Sequence, residues 1–209
     1  MRNTAAPTKE DEAALKRAGR YLVGAMREVA WFPVQAPVDK VVVYGDSDYA
    51  GCLRTRKSTS GGTIFLGDHC LKSWSKTQPV LALSSGEAEL AAVVRASTEG
   101  IGMQSLMGDI GMEAGLEVKP DATAAIGMVS RQGLGRVRHL AVADLWVQQK
   151  ALLGEVVYTK VKGLLNPADM MTKGVGPETV RKFMDAMGHF IEGGRHHLAP
   201  MAEIGAQRI

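Results

Sequence analysis

An α/β domain built on a mixed sheet is what this sequence predicts, and three observations predict it. Residues 40–49 read KVVVYGDSDY, a β-branched and aromatic run that ends in acid. Two more short apolar runs follow, at 63–66 and 70–75, with the turn signal Gly67-Asp68 between them. From Leu83 onward helical periodicity takes over, and it is interrupted only by short strands at 116–118 and 156–161. The element order is then βββαβααβα. Three antiparallel strands open the domain, helix-linked strands complete it, and the five-stranded sheet is mixed.

The composition agrees with a globular domain. The chain has 209 residues, 45% hydrophobic and 22% charged, a size that suits one domain with extensions. A net charge of +3 permits a nucleic-acid partner without requiring one. Two cysteines, Cys52 and Cys70, do not make a disulfide framework, and Cys70 reads as a small core residue in a cytoplasmic protein. No apolar run approaches the roughly 20 residues of a membrane span, and the N-terminus lacks the apolar region of a secretion signal.

Each element has a local reason. Residues 9–27 carry Ala13, Leu15, Ala18, Leu22 and Ala25 at helical spacing, and the proline-containing stretch 31–37 reads as a connector. A boundary near Val38 divides the chain into a helical segment with linker (1–37), the main domain (38–188) and a loosely ordered tail (189–209). The long helix at 83–107 opens with Ser84 and Glu87 at capping-box spacing and carries Ala88, Leu90, Ala91, Val94 and Ile101 as its stripe. Gly100 and Gly102 cost about 1 kcal/mol each in a helix interior and predict a kink or thinning there. Asp121 caps a helix at 122–130. A second helix at 140–153 buries Leu145, Trp146 and Leu152. Asn166-Pro167 begins a last helix with Asp169 in its first turn.

Four acids fall at equivalent places in this scheme. Asp46 ends the first strand, Glu89 starts the long helix, Asp121 ends the fourth strand and Asp169 starts the last helix. If the fourth strand lies beside the first, those ends converge at one edge. Carboxylates so gathered repel one another unless cations neutralise them. Oxygen-only ligands suit Mg²⁺ or Mn²⁺, and a pair of such ions supports phosphodiester hydrolysis. Taken alone, the DSD of 46–48 fits a capped turn better than a metal-binding strand end.

Longer blocks sharpen the choice. DSDYAGCLRTRKSTSGG, SWSKTQPVLALSSGEAEL, the RVRHL segment and NPADMMTKG resemble the ribonuclease H domain of copia-type LTR retrotransposon polyproteins, from about residue 38 to 174. The segment ALKRAGRYLVGAMR is similar to the end of the reverse transcriptase portion that precedes such a domain, and no YVDD-like polymerase motif is present. The resemblance implies a ribonuclease H-like fold. It also implies cutting of the RNA strand of RNA–DNA hybrids to leave a 5′-phosphate and a 3′-hydroxyl. It makes Asp46, Glu89, Asp121 and Asp169 the catalytic residues and the ligands of two Mg²⁺ or Mn²⁺ ions. The implied partners are the hybrid and the reverse transcriptase portion of the same polyprotein, in a cytoplasmic retrotransposon particle and away from membranes. Glu87 reads as a cap and Asp48 as a neighbour of the site.

The pattern is not complete. Gly100 and Gly102 stand where stronger helix formers are expected, LAVADLWVQQ follows His139 where an acidic and basic-aromatic run is usual, and Ala122 stands where asparagine is usual. A degenerate copy that keeps the fold and binds nucleic acid without turnover is therefore the alternative. Arg54, Arg56 and Lys57, Ser85, and Arg136, Arg138 and His139 are the candidate nucleic-acid contacts, the first basic group reading equally as a solvated turn and the second slightly more as a substrate or rim contact than as an exposed loop. Ser47, Thr59, Ser60, Ser84, Ser85 and Gly86 are small and polar enough to line a groove for 2′-hydroxyls and phosphates. The pair His196-His197 lacks metal-ligand spacing, Trp74 and Trp146 read as core, and Met170-Met171 as core filler.

Overall fold

The alternating valines of the first sheet strand fix how the domain is layered. Val41 and Val43 are fully buried on one face, while Val42 and Tyr44 pack on the other. A strand covered on both faces reads as a continuous apolar run. The structure is a computed structural model, and it describes residues 6–133 and 145–194. The chain divides into two units, Phe32–Gly188 and a second made of the two chain ends.

In the larger unit the strands are β2 (Lys40–Asp48), β3 (Thr59–Leu66), β4 (His69–Thr77), β5 (Gly115–Pro120) and β6 (Val157–Tyr158). Their order in the sheet is β4-β3-β2-β5-β6. β2–β3 and β3–β4 are antiparallel, and β2–β5 and β5–β6 are parallel. The mixed five-stranded sheet predicted above is therefore present, with the fourth strand beside the first. β6 is shorter than expected, but the ladder continues through Thr159 N–H to the Val118 carbonyl (3.1 Å) and Val161 N–H to that of Pro120 (3.0 Å).

One face carries α2 (Ser85–Asp109), α3 (Thr123–Val129) and α4 (Trp146–Leu152). Here Leu90, Val93 and Ala96 meet Val41, Val43, Ile64, Leu116 and Val118 in the main core. The other face buries Phe65, Cys70 and Met187, with Val42, Tyr44, Met170 and Met171 packed against them. Trp74 and Trp146 are half-buried against the main core, in agreement with their reading.

Several local readings need correction. The long helix is unbroken at Gly100, because Gly100 is an inter-element contact. A Cβ there would lie 2.6 Å from Leu116 Cδ1 and 3.0 Å from Val43 Cγ2. The last helix is two pieces, α5 (Asp169–Thr172) and α6 (Pro177–Ala186), because Gly174, Gly176 and Pro177 intervene and Pro177 restarts the helix at its first turn. Leu152 is exposed rather than core, and residues 140–144 of the helix expected there lie outside the described residues.

The smaller unit contains α1 (Lys9–Gly24), opened by a Thr8–Asp11 capping box, and β1 (Arg27–Ala30). The first helix thus stops short of Arg27, which instead begins a strand. β1 pairs antiparallel with β7 (His189–Glu192), a segment expected within the tail. Side-chain contacts hold this ribbon: Arg27 pairs with Glu192 at 2.6 Å, and His189 Nδ1 lies 2.6 Å from Glu28 Oε1. Among the described residues no helix is long and apolar enough to cross a membrane.

Candidate functional site

Asp46 anchors the site. It lies inside β2, two residues before the strand ends, and only 2% of it is exposed. In the parallel register Gly45 pairs with Pro120, so the next residues along the two chains are Asp46 and Asp121. Neighbouring strands lie about 4.8 Å apart, and this pairing alone brings the two acids together.

Asp169 arrives from the other face. Asn166, fully buried, donates through Nδ2 to the Gly45 carbonyl (3.1 Å) and accepts through Oδ1 from Ala168 N–H (3.2 Å). These two hydrogen bonds pin the start of α5 to β2. Gly61, opposite Asp46 on β3, makes room for α5: a Cβ there would lie 2.7 Å from both Met171 Cβ and Thr172 Cγ2. As a result, Asp46, Asp121 and Asp169 each place a carboxylate oxygen within 4.8 Å of the others.

Glu89 approaches from α2. Ser84 caps that helix, accepting from Glu87 N–H, and the Glu87 carboxylate accepts from Leu83 N–H (2.9 Å). Glu87 is thus a cap, as its spacing predicts. Ala88 and Leu90 are buried against the sheet, and Glu89 stands between them, outside the 4.8 Å triplet but within reach of its charges. Burial first, and then the charges of Asp46 and Asp121, push the Glu89 carboxyl up to about 8. Its Oε2 is buried without a hydrogen-bond partner among the described residues. Burial and the Asp46 charge also raise Asp121, against the pull of Lys173.

Four further residues at the site were not singled out from the sequence. The Thr172 hydroxyl donates to Asp46 Oδ2. Lys173 Nζ lies 2.6 Å from Asp169 Oδ1 and 3.9 Å from Asp46 Oδ2. Burial pulls the Lys173 ammonium down, but the bond to Asp169 and the charges of Asp46, Asp169 and Asp121 outweigh it and hold its pKa above the ordinary lysine value. Asn166 is the third, as described above. Gln78 is the fourth: its Nε2 lies within bonding distance of Ser47 Oγ (3.2 Å), Ser60 Oγ (2.9 Å) and the Ala88 carbonyl (2.9 Å). It ties together β2, β3 and α2 at the residues flanking Asp46 and Glu89. Spacing from Asp169 held a signal for two of these, since positions three and four onward share its helix face.

The expected substrate contacts fare unevenly. Ser47 and Ser60 are buried and engaged by Gln78, so they do not line a groove. Thr59 is partly buried beside them. Asp48 accepts from Thr59 N–H and braces the turn after β2. Arg54 and Arg56 are exposed in the β2–β3 loop, where Arg56 adopts a positive φ of 54°. Lys57 turns back to the Pro79 carbonyl. Ser85 is exposed at the first turn of α2. Arg136, Arg138 and His139 lie outside the described residues, as do His196 and His197.

The chain shares 30% identity over 172 residues, 81% of its length, with the retrovirus-related Pol polyprotein from transposon TNT 1-94 of Nicotiana tabacum. The matching polyprotein from transposon RE1 of Arabidopsis thaliana shares 28% over 187 residues. Over most of its length the chain is thus similar to one stretch of retrovirus-related Pol polyproteins. It spans 13% of the length of each of those two relatives. No protein-family model matches it. Among solved structures, LC11-RNase H1 in complex with an RNA/DNA hybrid aligns with 64% of this chain and 94% of its own, at a TM-score of 0.45 and 18% identity.

Several features of this acidic site fit divalent cations. The converging donors are all carboxylate oxygens, the choice of hard ions such as Mg²⁺ and Mn²⁺. Glu89 Oε2 is a buried oxygen with no hydrogen-bond partner among the described residues. The raised carboxyls mark negative charge that the protein itself only partly offsets.

Proposed function

We propose that this domain is a metal-dependent endoribonuclease that cleaves the RNA strand of RNA–DNA hybrids as part of a retrotransposon polyprotein. The observation that carries the reading is the convergence of the Asp46, Asp121 and Asp169 carboxylates, with Glu89 near enough to be raised by the charges of Asp46 and Asp121. Asp46, Asp121 and Asp169 would hold two Mg²⁺ or Mn²⁺ ions, with Glu89 completing the set. Bound there, such ions neutralise the carboxylates, lower the pKa of a water and stabilise charge on the leaving oxygen.

The chain's own residues supply rigidity and placement. Asp46 sits within a strand hydrogen-bonded on both sides, so its carboxylate has little freedom to drift. Asn166 and Gln78 fix the two helices that bring Asp169 and Glu89. Arg54 and Arg56, and Ser85 at the tip of α2, are the described residues offered for backbone contact, which would make recognition independent of base sequence.

The test is incubation with a labelled hybrid in Mg²⁺ and in Mn²⁺, beside D46N. Metal-dependent cutting of the RNA strand by the wild type, lost in D46N, is the expected result. A folded wild type that cuts in neither metal would count against the nuclease and for a binding module.

A further inference from the structure

We infer that Lys173 is an internal cation that holds the acid cluster together when no metal is bound, and that an incoming divalent cation must displace it. This rests on the metal-binding reading of the site and adds how the site is kept and opened. Lys173 follows directly on α5, four residues after Asp169, and its Nζ sits 2.6 Å from Asp169 Oδ1 and 3.9 Å from Asp46 Oδ2. Among the described residues, the ion pairs of both acids are made with this lysine. Its ammonium therefore occupies an oxygen of Asp169 that a cation would need, and its charge repels a divalent ion nearby.

The rest of the side chain is built to leave. The Lys173 side chain is 50% exposed, whereas that of Asp46 is 3% exposed. A lysine is a compact charge on a flexible four-carbon stem, so it can swing to solvent while the acids stay fixed. The ion pair is half-solvated and correspondingly weak, which makes displacement by a divalent ion feasible. The neighbouring Thr172, bonded to Asp46 and 3.0 Å from the Asp169 carbonyl, fixes the backbone from which the lysine departs. A lysine that only capped α5 would have no need to face the carboxylates of two different elements.

The experiment is calorimetric titration of the whole chain with Mn²⁺ at pH 8.5 and low ionic strength, comparing wild type, K173M and K173R. K173M is expected to bind Mn²⁺ about fivefold more tightly. K173R, which keeps the charge, is expected to stay near the wild type. Melting reports the same exchange independently: K173M should melt lower without metal and gain more from added Mn²⁺. Equal or weaker Mn²⁺ affinity in a folded K173M overturns the displacement while leaving the metal site standing. Absence of Mn²⁺ binding in all three proteins overturns the displacement and the metal-binding reading together.

Discussion

Strand β5 leads into two acids four residues apart, Glu117 and Asp121, and their surroundings treat them in opposite ways. Glu117 is buried, yet it accepts from Thr159 Oγ1 (2.5 Å) and pairs with Lys40 (3.2 Å) and Lys119 (3.5 Å). Burial works against its charge, but the Thr159 and Lys40 bonds and the lysine charges win and hold it below the usual carboxylate range. Asp121, less buried, faces Asp46 and Asp169 instead, and its carboxyl is raised. A buried acid that the protein satisfies is a structural element. One left among like charges costs stability, and such groups cluster where a ligand supplies what is missing.

Substitution at the two places should therefore separate activity from stability. On the proposed function, D46N is expected to lower hybrid cleavage on the order of 10³-fold or more while the chain still folds, since the proposed binding of the ions would depend on that charge. E117Q should leave cleavage largely intact but destabilise the chain by about 1–3 kcal/mol, because Lys40 and Lys119 lose their partner. Denaturant melts and cleavage assays on both variants check the contrast, and a D46N chain that cuts normally would break it.

Next in size is Asn166. It joins α5 to β2 through two hydrogen bonds in a fully buried position. N166A is expected to cost about 2–3 kcal/mol by stranding the Gly45 and Ala168 backbone groups, and to weaken Mn²⁺ binding because Asp169 loses its anchor. Urea denaturation with and without Mn²⁺ reads both effects.

The long helix offers a smaller contrast between its two glycines. G100A improves helix propensity yet forces a Cβ into Leu116 and Val43, for an expected loss of about 1–3 kcal/mol. G102A meets open space and should gain up to about 1 kcal/mol. Melting temperatures moving in opposite directions would confirm it. Gly100 is thus a packing device, which removes one of the two helix glycines as an argument for a decayed copy.

The subtlest effect is on pH. Glu89, held up to about 8, keeps its proton in the folded metal-free chain where the unfolded chain has released it. Its contribution to stability is fully present below the ordinary value of 4.5 and is lost as pH rises through about 8. Glu117 runs the other way: its contribution is present above the ordinary range and is lost as pH falls through its lowered value. Melting of the metal-free chain between pH 5.5 and 8.5 should therefore decline, and E89Q should flatten that decline while E117Q does not.

Much of this was legible along the chain. Val41 to Val43, the Gly67-Asp68 turn and the Ser84–Glu87 cap are local signals, and each marks a real element. What failed failed for tertiary reasons. Ser47 and Ser60 look like surface serines until Gln78, remote in sequence, is folded over them. The segment 189–192 shows little periodicity because its order comes from pairing with β1, more than 150 residues earlier.

The acids themselves stand out in the sequence because side-chain type and strand or helix position are written locally, and with them the expected chemistry. Their distances were decided elsewhere. Asp46 meets Asp121 because β2 and β5 are parallel and in register, Asp169 joins them because Gly61 leaves a place for α5, and Lys173 enters because that short helix turns its fourth residue onward toward the same acids. Periodicity reports which face a residue occupies, while the charge a carboxylate meets across the core depends on chain segments remote in sequence, which only packing brings together.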